Sequence, residues 1–198
     1  MKKILLGLGV VALLSTTAVQ AQNEKGQMAI SVGAGQSLLG SLYSANDVQN
    51  VNVTPVINGM FDFAVSDVVS MGLGLSYQSI SSELDWFYLD PATNTFIDET
   101  VKETMTKLNI GVRCNFHYAR GIDGLDMFSG FRIGYTNWGF KSSSADPDYV
   151  AAVSINMPFA IQIVPVAIRY YFTDMIGIHL ETGLIGPYMI AGGISLKM

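Results

Sequence analysis

The chain has 198 residues, is 49% hydrophobic but only 14% charged, and carries a formal net charge of −5. A soluble exported domain of this size carries nearer a quarter charged residues, and an acidic balance speaks against a nucleic-acid partner, which requires clustered positive charge. The single cysteine, Cys114, excludes an intramolecular disulfide.

The chain opens as a targeting segment. Lys2 and Lys3 precede the apolar stretch Ile4 to Leu14, and Val19 and Ala21 occupy the −3 and −1 positions of a cut before Gln22. This pattern predicts a cleaved secretory signal over residues 1–21 and one exported domain over 22–198. The apolar stretch is too short for an anchor, since spanning a bilayer takes roughly 20 residues. No cysteine stands near the cut to carry a lipid. Further on, the most apolar stretch, Met157 to Ile168, is broken by Gln162 and holds two prolines. An exported chain this apolar, without a spanning helix, resolves as a closed barrel, because lipid leaves no other way to satisfy strand backbones.

Period-two alternation then predicts eight strands in chain order. The first covers Gln27 to Gly35, with Met28, Ile30, Val32 and Ala34 on one face. The second runs from Val53 to Val65 and opposes Ile57, Phe61 and Phe63 to Asn58 and Asp62. The third, Val69 to Ser82, sets Met71, Leu73, Leu75 and Tyr77 against Ser70, Gly72, Gly74, Ser76 and Gln78. The fourth, Thr104 to Tyr118, alternates most cleanly: Leu108, Ile110, Val112, Cys114, Phe116 and Tyr118 oppose Lys107, Asn109, Gly111, Arg113, Asn115 and His117. The fifth, Met127 to Phe140, turns Phe131, Ile133 and Tyr135 out and Arg132 in. The sixth, Phe159 to Phe172, turns Val164, Val166, Ile168 and Tyr170 out and Arg169 in. The seventh, Met175 to Ile185, turns His179 and Glu181 in; the eighth, Tyr188 to Met198, turns Ser195 and Lys197 in.

The expected fold is all-β: an eight-stranded antiparallel transmembrane β-barrel with both termini in the periplasm. Short connectors at 66–67, 120–124 and 173–174 read as periplasmic turns, and 36–50, 84–103 and 141–156 as longer extracellular loops. The short final hairpin at Gly186-Pro187 breaks that rule. Tyr77, Trp86, Phe87, Tyr88, Tyr118, Tyr135, Trp138, Tyr170 and Tyr188 are placed as aromatic girdles. Pro165 inside the sixth strand and Pro55 near the start of the second each remove a ladder donor, which calls for a bulge or a shifted boundary.

The stretch Arg169-Tyr170-Tyr171-Phe172-Thr173-Asp174, then Gly183, and the ending Ala191 to Met198 resemble the small outer-membrane β-barrel family common in Bacteroidetes-type bacteria, grouped with porin-like and opacity-type proteins. The resemblance implies location and fold rather than an activity.

Turning the apolar faces to lipid sends Asp62, Arg113, His117, Arg132, Arg169, His179, Glu181 and Lys197 inward. An eight-stranded interior is just wide enough for side chains to fill it, and charges confined there must pair. Arginine binds carboxylates bidentately, so Arg113, Arg132 and Arg169 are expected partners of Asp62 and Glu181. The expectation is a charged plug; the alternative is a narrow porin-like channel for ions or small solutes. A third reading, a soluble periplasmic barrel holding an apolar ligand like a lipocalin, requires the faces to be inverted.

No catalytic residue, metal site or cofactor is expected. The two histidines could each find a serine, Ser70 or Ser195, but no spacing singles one out. Cys114 reads as a lipid-facing apolar filler. Gly72-Leu73-Gly74 and Gly33-Ala34-Gly35 lack the helix a phosphate-binding loop needs. Asp47, Glu83, Asp85, Asp90, Asp98, Glu99, Glu103, Asp146 and Asp148 gather in the long connectors beside Trp86-Phe87-Tyr88-Leu89. Expected partners are therefore outer-membrane lipid and lipopolysaccharide, with a surface partner through the acidic loops; the protein is expected to be a monomeric, non-enzymatic envelope protein.

Overall fold

A computed structural model describes residues 23–45, 50–90, 93–118, 122–146, 148–149 and 158–198. The proposed signal at 1–21 lies outside the described residues, as do parts of the connectors at 36–50, 84–103, 120–124 and 141–156.

The strands are β1 (Met28–Gln36), β2 (Asn52–Val53), β3 (Val56–Ser66), β4 (Val69–Asp90), β5 (Thr95–His117), β6 (Leu125–Ser142), β7 (Phe159–Tyr171), β8 (Ile176–Thr182) and β9 (Ile190–Lys197); one helix, α1 (Leu38–Ala45), follows β1. All pairings are antiparallel. Sequential neighbours pair around the circle, β1 joins β9 from Ala29↔Lys197 to Gln36↔Ile190, and β3, β4 and β5 complete the ring. β2 is a two-residue rung that extends the β3 row along β4 and adds no ninth stave. The result is a closed eight-stranded barrel with no free edge within its wall, which is what lets strands cross an apolar medium.

Alternation decides the two faces as expected. Val32, Ile57, Met71, Leu73, Ile110, Val112, Ile133, Ile178 and Ile194 are exposed on the outside, while Ser31, Asn58, Asp62, Ser70, Arg113, Asn115, His117 and Ser195 are buried inside. This removes the inverted, lipocalin-like assignment. No described helix is long and apolar enough to cross a membrane.

Three local features differ from the sequence expectation. The stretch 84–103 is a hairpin instead of a loop: β4 and β5 stay paired without interruption from Val69↔Phe116 up to Asp90↔Thr95. Their upper alternation of Leu84, Trp86 and Tyr88 with Asp85, Phe87 and Leu89 is a strand pattern continuing past the barrel rim.

Val164 faces in, being 2% exposed. The β6–β7 register slips between Phe128↔Ala167 and Gly130↔Val164, so Pro165 and Val166 together oppose Ser129. Pro165 lacks an N–H, and the bulge takes it out of the ladder; Ser129 Oγ donates to its carbonyl at 2.5 Å. One extra residue flips side-chain parity, so even-numbered Gln162 and Val164 point in before the bulge, and odd-numbered Ala167 and Arg169 after it. Pro55 raises no conflict, because β3 begins after it, at Val56.

Tyr188 is no girdle residue. It is buried in the lumen, at the end of a tight connection in which Ile185 and Gly186 adopt positive φ of 57° and 138°. A side chain is strained at the φ of Gly186, so the tight turn before Tyr188 depends on that glycine.

Candidate functional site

The end of the barrel where β1 begins and β9 ends, beside the turns at 66–67 and 173–174, holds a closed circuit of side chains. Asp126 at the start of β6 and His117 at the end of β5 meet at 2.7 Å through Oδ1 and Nδ1. His117 Nε2 lies 2.8 Å from Ser70 Oγ on β4. Asn115 Nδ2 donates to Ser70 Oγ at 3.2 Å and to Asp62 Oδ1 at 3.1 Å. Asp62 Oδ2 takes Arg169, whose Nη1 stands 3.9 Å from Asp126 Oδ2 and closes the circuit. Phe128 fills its centre, with the His117 ring centroid at 5.1 Å and the Arg169 Cζ 4.6 Å from its ring. An arginine over an aromatic face gains attraction on top of its ion pairs.

A second chain crosses the lumen. Arg113 holds Asp62 Oδ1 through Nε at 3.0 Å and Glu181 Oε2 through Nη2 at 2.7 Å. Tyr188 donates to Glu181 Oε1 at 2.5 Å, and Met60 sulfur touches both Arg113 and Tyr188. Every charged member is buried and has an oppositely charged partner, as burial of ions demands, while the Arg169 Nε makes no hydrogen bond.

Of the eight residues expected inside, all are turned inward, but only Asp62, Arg113, His117, Arg169 and Glu181 form this network. Arg132 does not reach a carboxylate. Its guanidinium is held by neutral acceptors: Ser76 Oγ at 3.0 Å, the Gly74 carbonyl at 2.7 Å and the Asn109 carbonyl at 3.2 Å. It lies so close over Gly74 that an added Cβ there would stand 2.8 Å from Cζ. The bare glycine leaves room for Arg132 against β4, and Arg132 also neighbours Tyr188, the phenol that donates to Glu181. Lys197 packs its Nζ over Tyr171 at 4.9 Å, and His179 meets Ser195 Oγ at 3.2 Å through Nδ1 without forming an ion pair.

Asp126, Asn115, Ser70 and Tyr188 were not anticipated as network members. Asp126 shares the parity of Phe128 and Arg132, so running the fifth strand's alternation back one residue past Met127 would have found it. Tyr188 carries no such signal, since its direction is set by the turn before it.

Ser70, His117 and Asp126 have the connectivity of a Ser–His–Asp triad. Ser70 is 1% exposed, and its Oγ already accepts a bond from Asn115. The cavity at this end is lined by Asn23, Gln27, Asp62, Asp126, Arg169 and Tyr171, and not by Ser70. A nucleophile needs room for an acyl carbon about 3 Å away together with oxyanion donors; here the hydroxyl's surroundings are a packed wall. Among the described residues no group of three or more His, Cys, Asp or Glu could hold a metal.

At the opposite end α1 lies over the rim. Ser37 Oγ donates to Gln78 Oε1 at 2.8 Å, and Gln78 Nε2 donates to the Thr54 carbonyl at 3.1 Å. Above the rim the β4–β5 hairpin has two unlike faces. On one, the segment following β6 packs down: Trp86 Nε1 donates to Asp146 at 3.0 Å, the Trp86 and Tyr149 rings meet edge-on at 5.1 Å, and Tyr149 donates to Glu103 at 2.7 Å. Glu99 accepts from Ser144 and from the Ala145 backbone. Partial desolvation, then the bond to Glu103 and the charges of Glu103 and Glu99, push the Tyr149 phenol up to about 12. Among the described residues nothing packs on the other face.

An apolar outside, an ion-paired and side-chain-filled inside, and strand extensions at one end only define a closed eight-stranded barrel of the membrane-spanning type. Among solved structures the chain is similar to three outer-membrane barrels. The OprG protein of Pseudomonas aeruginosa has a TM-score of 0.48 and 10% identity over 91% of this chain and 99% of that one. The outer membrane protein W of E. coli has 0.46 and 12% over 89% and 98%. The N-terminal barrel domain of OprF of Pseudomonas aeruginosa has 0.42 and 13% over 88% and 98%. No family model matches the chain, and no curated protein does. The assignment of fold therefore stands on the strand order and register.

Proposed function

We propose that the protein is an integral, non-enzymatic outer-membrane barrel whose lumen is plugged and whose task is envelope-structural or surface contact. The observation that carries this is the pairing of a lipid-compatible exterior with a lumen crossed by Arg113–Glu181 and ringed by Asp62, Arg169, Asp126 and His117. Charge inside and hydrocarbon outside suits only a barrel surrounded by lipid. The signal-like start supports export, with residues 1–21 removed on the way. In this reading the termini and short turns face the periplasm, the β4–β5 hairpin faces outward, and the barrel is a monomer in contact with outer-membrane lipid and lipopolysaccharide. The closing Ala191 to Met198 pattern supports the Bacteroidetes-type, porin-like kinship.

The test is gel mobility of the detergent-folded protein, boiled and unboiled, with membrane fractionation. A shift on boiling and recovery in the outer membrane are expected; an unshifted, soluble periplasmic protein would overturn the reading. The narrow-channel alternative is tested in a planar bilayer. The cross-lumen ion pairs predict no steady current, and a wild-type current altered by Arg113→Ala would transfer the plug's role to a gate.

A further inference from the structure

The geometry points to the bare face of the β4–β5 hairpin as a docking surface for a cationic, amphipathic polypeptide segment, an inference that rests on the reading above that this hairpin lies outside the cell. Above the barrel rim the two strands form a ribbon whose rungs are Glu83↔Lys102, Asp85↔Thr100, Phe87↔Asp98 and Leu89↔Phe96 on one face. That face is the uncovered one. Phe96 is 83% and Phe87 67% exposed, and Leu89 is exposed beside them. A two-stranded ribbon is marginal in water by itself. Here the opposite face gains stability from the segment carrying Asp146 and Tyr149, so the bare face is not required to hold the ribbon together.

Three large apolar side chains in adjoining rungs, solvated on a surface that the chain's own segment could have covered, mark an interaction surface. The charge pattern identifies the occupant. Asp85 and Asp98 flank the apolar residues, Phe87 lying directly across from Asp98, and the three upper rungs contain no base. The nearest cation, Lys102, is opposite Glu83. A partner that covers Phe87 and Phe96 desolvates two carboxylates unless it supplies positive charge at the same spacing. Lysine or arginine would also lie over the phenylalanine rings. An anionic polysaccharide or another acidic face is repelled. Among the described residues the β4 edge above Asn52↔Ser81 carries no further ladder partner, while Ser143 bonds the Lys102 backbone on the β5 edge, so the β4 side is where an extended segment can align.

The experiment uses the full chain folded in nanodiscs of zwitterionic lipid. The probe is a fluorescent peptide of alternating lysine and leucine, its counterpart alternates glutamate and leucine, and protein-free discs provide the baseline. Wild type is expected to bind the cationic peptide and not the acidic one. The pair F87S/F96S, and separately D85N/D98N, each weaken binding by about tenfold or more. The charge-matched pair E24Q/D174N, at the other end of the barrel, leaves it unchanged. Equal affinity for both peptides, or affinity indifferent to the hairpin substitutions, would overturn the inference. So would a concentration-dependent dimer abolished by F87S/F96S, which would give the face to a second copy. Maleimide labelling of T100C in a C114A background on intact cells tests the underlying reading separately: unlabelled cells with intact peptide binding in discs would sink the outward orientation and leave the docking chemistry standing.

Discussion

The Arg113 guanidinium on β5 meets the Glu181 carboxylate on β8 at 2.7 Å, across the lumen instead of along its wall. Two strands, β6 and β7, separate these staves, so the pair ties together parts of the wall that share no ladder. Removing one partner leaves the other charged and buried. Glu181→Gln is expected to cost about 3–5 kcal/mol, read as a lower urea midpoint for unfolding from vesicles, whereas the double replacement by leucine and methionine should recover most of that loss. Equal instability of single and double variants would deny the pair this role.

Asp62 serves two arginines at once, Arg113 and Arg169. Asp62→Asn keeps the shape and removes the charge between two cations. It is expected to destabilise at least as much as Glu181→Gln, by about 3–5 kcal/mol, and to raise conductance noise in planar bilayers as the circuit around Phe128 loosens. Wild-type stability and a silent bilayer would show that the two arginines find other counter-charges.

Ser70, His117 and Asp126 look like a hydrolytic relay but are packed as a strut. A serine-directed fluorophosphonate is expected to leave the folded protein unlabelled, and Ser70→Ala to cost about 1 kcal/mol of stability with no lost activity on ester substrates. Stoichiometric labelling abolished by Ser70→Ala would make the protein an enzyme.

Gly74 gives Arg132 its place. Valine there puts a Cβ against the guanidinium, with β4 and β5 backbone fixed on either side. Gly74→Val should destabilise by about 1–3 kcal/mol, and Gly74→Val with Arg132→Met should be more stable than Gly74→Val alone. Additive losses measured by urea unfolding would separate the two positions.

Tyr149 links the segment after β6 to the hairpin through Glu103. Its folded phenol lies above the ordinary value of 10, so the contact's contribution is complete below pH 10 and is lost as pH climbs through about 12. Absorbance titration of wild type against Tyr149→Phe should reveal one phenol ionising in that range, with Trp86 emission changing in parallel. A phenol titrating at 10 would deny the bond.

The strand content was legible wherever one face had to be apolar. From Leu108 to Tyr118 every second residue is apolar and the residues between are polar or glycine, and the register keeps that division along the whole segment. Above the rim the same two strands continue, but with no lipid against the outer face no face had to be uniformly apolar, and 84–103 read as a loop. Pro165 announced an irregularity, yet only the register shows that the bulge consumes one residue and turns Val164 inward. The inward charges were readable from parity alone; the list left out Lys107, which shares the inner face of Asn109 and Arg113, and Asp126, where a strand was cut one residue short.

Pairing was not readable. Arg113, Arg132 and Arg169 alternate with apolar neighbours in the same way, yet two hold carboxylates and the third lies over Gly74. Sequence by itself determined which side chains enter the lumen, because a period of two is a property of the extended backbone. Which of them touch was decided only by tertiary structure, because shear and closure of the barrel set the heights at which staves distant in sequence, such as β5 and β8, face each other.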